Sequence, residues 1–270
     1  MSEGKASRAG GATAVGVILV AGVGQRLRPL TDDRPKALID VGGETMLGRA
    51  MRLLVAAGVE EIVLATGYRE ESVRAAARGC AVPVQFCRNE AFDRTQNSVS
   101  LLLCEPAIAG RPFFKLDGDL LFHPDVLDRL DAAGDGLSAA IDCSAVLGAE
   151  EMKVLLRGDQ ITAFGKGLPP AEAHGESIGL ERVSAVAVLP LFHALKAAVS
   201  AGETGLYYED IYGRILGSGW PATAVDVSDL PWTEVDTRED LARARALVAG
   251  GTLDQASRSD PPLRKGLRTE

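Results

Sequence analysis

The sequence predicts an alternating α/β protein built on a doubly wound, mostly parallel sheet, and three observations carry that expectation. Short aliphatic runs of strand length alternate with amphipathic helical stretches, a glycine-rich turn directly follows the first run, and a later apolar run ends in paired carboxylates, Asp117-Gly118-Asp119. Ligands in such sheets bind outside the carboxyl ends of the strands, so both turns fall where a site is expected.

The elements follow in chain order. Val15-Gly16-Val17-Ile18-Leu19-Val20 is too short to span a membrane and reads as a strand buried on both faces. Met46, Leu47, Ala50, Leu53 and Leu54 form a helical stripe over 45–57, stopped by Gly58. Residues 61–66 are a second strand, 70–78 a helix and 82–87 a third strand. Asn97 and Ser98 stand where they cap a helix running to Cys104. A strand over 112–117, a helix over 124–133 and a strand over 137–142 complete the first half. Gly158-Asp159 joins residues 151–157 and 160–164 as a hairpin. Tyr208, Ile211, Tyr212 and Ile215 share one helical face, and Thr237 caps a last helix.

The first turn suits phosphate. Gly22 and Gly24 let backbone amides approach a polyphosphate, Arg26 adds a forked cation, and Lys36 adds a point charge aimed by the restriction Pro35 imposes. The Walker loop is excluded because Gln25-Arg26-Leu27 is not Gly-Lys-Ser/Thr; the dinucleotide fingerprint, and with it an oxidoreductase, is excluded because Leu27 stands where a third glycine is required. Gly67-Tyr68 after the second strand is either a plain surface turn or a neighbour of a nucleotide base. Asp119 supplies a hard oxygen ligand suited to Mg²⁺, with Asp117 either supporting it or merely turning the chain.

The string Ala21-Gly22-x-Gly24-x-Arg26-Leu27, with Arg34-Pro35-Lys36-Ala37-Leu38, resembles the signature of the sugar-nucleotidyltransferase superfamily. The Asn89…Asn97-Ser98-x-Ser100-Leu101 pattern resembles its choline-phosphate and aminoethylphosphonate cytidylyltransferase branch. The resemblance spans about residues 15–247 and departs from the family at Gln25, where a hydroxyl residue is usual. It implies a Rossmann-like nucleotidyltransferase fold with a small antiparallel acceptor-binding insertion at about 150–220, and a Mg²⁺-dependent transfer of CMP from CTP with release of pyrophosphate. The implied acceptors are phosphocholine, phosphoethanolamine or 2-aminoethylphosphonate.

By the same resemblance Ala21, Gly22, Gly24, Gln25, Asn97 and Ser98 bind the nucleotide, and Arg26, Lys36 and Lys166 act on phosphates; Gly67 and Tyr68 join the nucleotide site only through their place at the end of the second strand. Asp119 and Asp236 hold the metal, and Glu176 or Glu181 meets a cationic head group. Independently, Tyr207-Tyr208-Glu209-Asp210 concentrates aromatic faces and negative charge, which suits an ammonium, although packing of the tyrosine stripe explains it equally. Trp232 and Glu234 are expected to join that pocket.

Composition bounds the partners. With 46% hydrophobic residues in 270, the chain can bury a full core, and a formal charge of −8 without a basic run argues against nucleic acid. No membrane association is expected. The four separated cysteines read as buried thiols of a reducing cytoplasm. Residues 1–13 and 249–270 are expected to be flexible tails around one domain at 14–248; a signal peptide is rejected because cleavage would destroy the phosphate loop. A homodimer is allowed without being specified. The rival readings are a transferase for a sugar or inositol phosphate and a non-catalytic nucleotide-binding module.

Overall fold

The structure is a computed structural model that describes residues 15–254. The expected N-terminal tail and residues 255–270 lie outside the described residues. In chain order the elements are β1 (Val15–Leu19), α1 (Met46–Ala56), β2 (Glu61–Thr66), α2 (Glu70–Ala77), β3 (Val84–Arg88), α3 (Asn97–Leu102), α4 (Glu105–Ile108), β4 (Phe113–Asp117), β5 (Leu120–Phe122) and α5 (Asp125–Ala132). They continue as β6 (Leu137–Asp142), β7 (Lys153–Arg157), β8 (Gln160–Gly165), β9 (Gly175–Val183), α6 (Ala185–Ser200), α7 (Tyr208–Leu216), β10 (Ala222–Asp226), β11 (Trp232–Glu234) and α8 (Arg238–Ala249).

Nine strands form one sheet in the order β3-β2-β1-β4-β9-β6-β10-β8-β7. The half from β3 to β4 is parallel, as its near-continuous aliphatic strands require, and both faces are covered by helices. Val15, Val17 and Leu19 pack with residues of α3, α6 and α7 on one face; Ile18 and Val20 pack with α1, α2 and α5 on the other. The expected antiparallel insertion is woven into this sheet: β9 runs antiparallel between β4 and β6, and the β7–β8 hairpin extends the far edge.

Chain order diverges between β1 and β4, whose register sets Leu19 beside Asp117. The phosphate loop and the Asp117-Gly118-Asp119 turn therefore leave adjacent strands side by side. A second, two-stranded ribbon pairs β5 with β11 antiparallel, with Glu234 opposite Leu120. Asp119 precedes β5 and Asp236 follows β11, so this ribbon joins two carboxylates that are remote in sequence. The segment after α8 departs from the expectation of a tail from 249. Leu253 is buried with Leu27, Val41 and Leu241, and Arg49 grips the Asp254 carboxylate at 2.9 and 3.1 Å. Among the described residues no helix is long and apolar enough to cross a membrane. All four cysteines are unbridged; Cys104 is buried, whereas Cys143, beyond the end of β6, is exposed, contrary to expectation.

Candidate active site

A cavity of about 350 Å³ opens at the carboxyl ends of β1 and β4. Ala21, Gly22, Gly24 and Lys36 of the first loop line it, together with Asn97, Asp117 and Asp119 and with Glu150, Lys166, Glu176, Tyr207, Glu209 and Glu234. Gly24 has φ of +71°, and a Cβ there would lie 2.7 Å from the Lys36 Cβ, so only glycine leaves the lysine stem its path across the loop. Pro35, at ψ 150°, delivers the lysine into a single 3₁₀ turn, Lys36–Leu38.

The Lys36 ammonium contacts Asp119 Oδ2 and lies 2.5 Å from Asp236 Oδ1, while Arg26 reaches Asp236 Oδ2 at 3.1 Å. Burial opposes the lysine's charge, but Asp119 and Asp236 outweigh it and raise its pKa. Asp119, Glu234 and Asp236 each present an oxygen within 4.8 Å of the others. Asp119 Oδ1 is buried without a hydrogen-bond partner, which is the signature expected of a cation ligand. These hard oxygens fit Mg²⁺, and Glu234, expected in the head-group pocket, sits with the two aspartates. Recession into the cleft and the charges of Asp119 and Asp236 raise Glu234 to about 8, although its outer edge remains exposed.

Several expected contacts fall elsewhere. Gln25 is exposed and does not line the cavity. Gly67 and Tyr68 do not line it either: a Cβ at Gly67 would meet the Ala21 carbonyl at 2.8 Å, and the Tyr68 hydroxyl donates to the Asp32 carbonyl at 2.7 Å, so this turn braces the phosphate loop from behind. Asn97 does line the cavity while its Oδ1 accepts the Tyr208 N–H at 3.0 Å; Ser98 is buried and donates to the Leu206 carbonyl at 2.6 Å. Trp232 donates its indole N–H to Asp142 at 2.9 Å and borders the outer mouth of the cleft beside Glu176.

Of the two readings of the tyrosine stripe, packing holds for Tyr208 and Tyr212. Tyr208 and Tyr212 are fully buried and pack against each other, Phe164 and Trp220, because the stripe's helical spacing turns it onto β8. Asp210 accepts the Tyr207 N–H at 2.8 Å as a capping-box residue. Only Tyr207 of the three faces the cavity, and Lys166 Nζ stands 5.1 Å from its ring centre. Glu181 is fully buried opposite Lys115 in the β4–β9 register, its Oε2 forms an ion pair with the ammonium at 2.8 Å, and it does not line the cavity.

Lys115 went unnoticed in the sequence, since a lysine inside an apolar strand carries no local signal. It lies 3.5 Å from the Tyr208 ring centre and 3.4 Å from Asp117 Oδ1, and the Tyr208 hydroxyl donates to Asp117 Oδ2 at 2.7 Å. Glu150, also missed, lies in a loop whose path is set by Lys153 donating to the Gly148 and Glu151 carbonyls at 2.8 and 3.0 Å.

Glu209 is 5% exposed, its Oε2 lacks a partner, and burial, with Asp117 and Glu181 adding to it, pushes the carboxyl up to about 8 despite Lys115. A carboxyl raised above its unfolded value stabilises the fold fully below about pH 4.5 and loses that contribution as pH rises to about 8. Glu209→Gln is therefore expected to gain stability relative to the parent between pH 5.5 and 8.5. Paired thermal melts check this, and an unchanged difference in melting temperature would contradict it.

Residues 16–166 match the model of the MobA-like NTP transferase domain. The chain belongs to this transferase family. It is 33% identical over 253 residues to a "bifunctional IPC transferase and DIPP synthase" of Rubrobacter xylanophilus, covering 93% of this chain and 55% of that protein. It is 28% identical over 246 residues to a CMP-5'-(3-aminopropyl)phosphonate synthase of Streptomyces rubellomurinus, covering 84% and 38%. The chain thus spans about half or less of these two relatives. In fold it resembles the inositol-1-phosphate CTP transferase of T. maritima, with a TM-score of 0.76, 22% identity and coverage of 89% and 96%. It also resembles the CTP:phosphocholine cytidylyltransferase of Streptococcus pneumoniae, with a TM-score of 0.66, 19% identity and coverage of 87% and 99%. Membership of the family agrees with the sugar-nucleotidyltransferase signature in the first loop.

Proposed function

We propose that the protein transfers CMP from CTP to a small phosphate or phosphonate bearing an ammonium group with N–H donors, such as 2-aminoethylphosphonate or phosphoethanolamine, and releases pyrophosphate. The observation that carries this reading is the carboxyl-rich lining of the cavity: Asp117, Asp119, Glu150, Glu176, Glu209 and Glu234 line it together with Lys36 and Lys166, while Lys115 is buried beside Asp117. Asp119 and Glu234 belong with the cation and Asp117 is bonded to Tyr208, which leaves Glu150, Glu176 and Glu209 for the acceptor. Burial, with Glu151 and Asp142, pushes Glu176 up to about 7, so an incoming ammonium would find a group that gains by ionising. Loss of the tyrosine cage counts against a quaternary ammonium such as choline, which has no N–H to donate and depends on aromatic faces.

No general base is needed, because the attacking phosphate or phosphonate oxygen is already ionised near neutral pH. That oxygen attacks the α-phosphorus, the bond to the β-phosphate bridge breaks, and pyrophosphate leaves. Catalysis is then alignment and charge neutralisation. Lys166 orients the attacking group, Lys36 and Arg26 meet the charge on the departing pyrophosphate, and Asp119, Glu234 and Asp236 would hold Mg²⁺. Bound Mg²⁺ would polarise the phosphoryl oxygens.

An inositol phosphate is the second reading, favoured by the similarity of fold to the T. maritima inositol-1-phosphate CTP transferase and by the ability of carboxylates to accept from hydroxyls. Pyrophosphate release with Mg²⁺, crossing the four common NTPs with 2-aminoethylphosphonate, phosphoethanolamine, phosphocholine, inositol phosphate and glucose 1-phosphate, separates them. Turnover of CTP with a primary ammonium acceptor is expected. Turnover confined to inositol phosphate would replace the acceptor, and silence with every pair would contradict the reading.

A further inference from the structure

We propose that Lys36 is the resident counter-ion of the carboxylate triad, so that the site takes a divalent cation already chelated to a triphosphate and holds the free ion poorly. This rests on the preceding reading only in treating Asp119, Glu234 and Asp236 as a cation site; the acceptor does not enter it. The ammonium occupies the Asp119 Oδ2 and Asp236 Oδ1 atoms at hydrogen-bond range. Mg²⁺ needs its ligand oxygens at about 2.0–2.1 Å, so a lysine and a metal cannot share the same pair of oxygens.

A free metal ion that takes those two oxygens must therefore evict a lysine that is only 15% exposed and take its partners away. A triphosphate removes that penalty. The Lys36 stem already lies against Gly24, in the wall formed by the phosphate loop, so rotation of the side chain alone carries the ammonium from the carboxylates toward the loop side. Metal and triphosphate then favour each other, and linkage requires the coupling to be mutual, typically about 5- to 150-fold. Arg26 supplies an internal control. It touches Asp236 Oδ2 at 3.1 Å from a position 66% exposed, and so contributes charge from outside the Asp119–Asp236 gap.

The test is the affinity for Mn²⁺ alone, read by electron paramagnetic resonance of the free aquo ion and repeated with CTP. Lys36→Met and Lys36→Gln are expected to bind free Mn²⁺ about tenfold or more tightly than the parent, and Arg26→Met no more than about threefold. CTP should raise Mn²⁺ retention by the parent at least about fivefold beyond its own chelation, with the gain shrinking in the Lys36 variants. Equal tightening by the Lys36 and Arg26 variants would overturn the proposal, because metal and lysine would then coexist, with the metal on Asp119 Oδ1. Absence of Mn²⁺ binding in every form would overturn it too. Should the Lys36 variants fail to fold, the CTP effect on the parent decides alone. A silent substrate matrix beside the predicted Mn²⁺ result would remove the acceptor reading and leave this one standing.

Discussion

Asp119→Asn is expected to lower turnover about 10³-fold while leaving the fold intact. Metal stabilisation of developing charge is worth several kcal/mol, and each 1.36 kcal/mol is a factor of ten in rate. The substitution keeps the side-chain volume but removes the charge that faces both the cation position and Lys36. Steady-state kinetics over a Mg²⁺ series, with a melting curve as control, check this. A variant that keeps the parent kcat at low Mg²⁺ would remove Asp119 from the metal site.

Lys115→Met is expected to give the largest loss of stability, about 3–5 kcal/mol, because it breaks a buried ion pair and strands the partner. Lys115 and Glu181 are both fully buried, and Asp117 and Glu209 depend on the same ammonium. At roughly 2–4 °C per kcal/mol for a chain of this size, the melting temperature should fall by about 10 °C. Lys115→Met/Glu181→Leu should recover most of that, since a packed apolar pair avoids the desolvation both charges suffer. A single variant melting within about 2 °C of the parent would show that the cluster neutralises itself by protonation.

Legibility in the sequence followed the range of the interaction. β1, its glycine turn and the α1 stripe were readable because their signals lie within one window: aliphatic run, glycine, helical period. Asp119 and Lys36, which line the cavity, are marked by equally local signals, a strand end and a proline. The β5–β11 ribbon was not, because three-residue strands show no period, and with it went the placement of Glu234 beside Asp119 and Asp236. Glu181 was misassigned because its partner, Lys115, is set against it only by the β4–β9 register. The tyrosines illustrate a different limit. Their composition suggested a cation pocket, but positions 208 and 212 share a helical face, and burying two rings outweighs offering them to a ligand.

CTP carrying ³²P at either the α or the γ position, with 2-aminoethylphosphonate and phosphoethanolamine as acceptors, distinguishes nucleotidyl transfer from phosphoryl transfer by where the label goes. Nucleotidyl transfer predicts α-label in the acceptor product and γ-label in pyrophosphate. Label from the γ position in the acceptor, or released as inorganic phosphate, would contradict it.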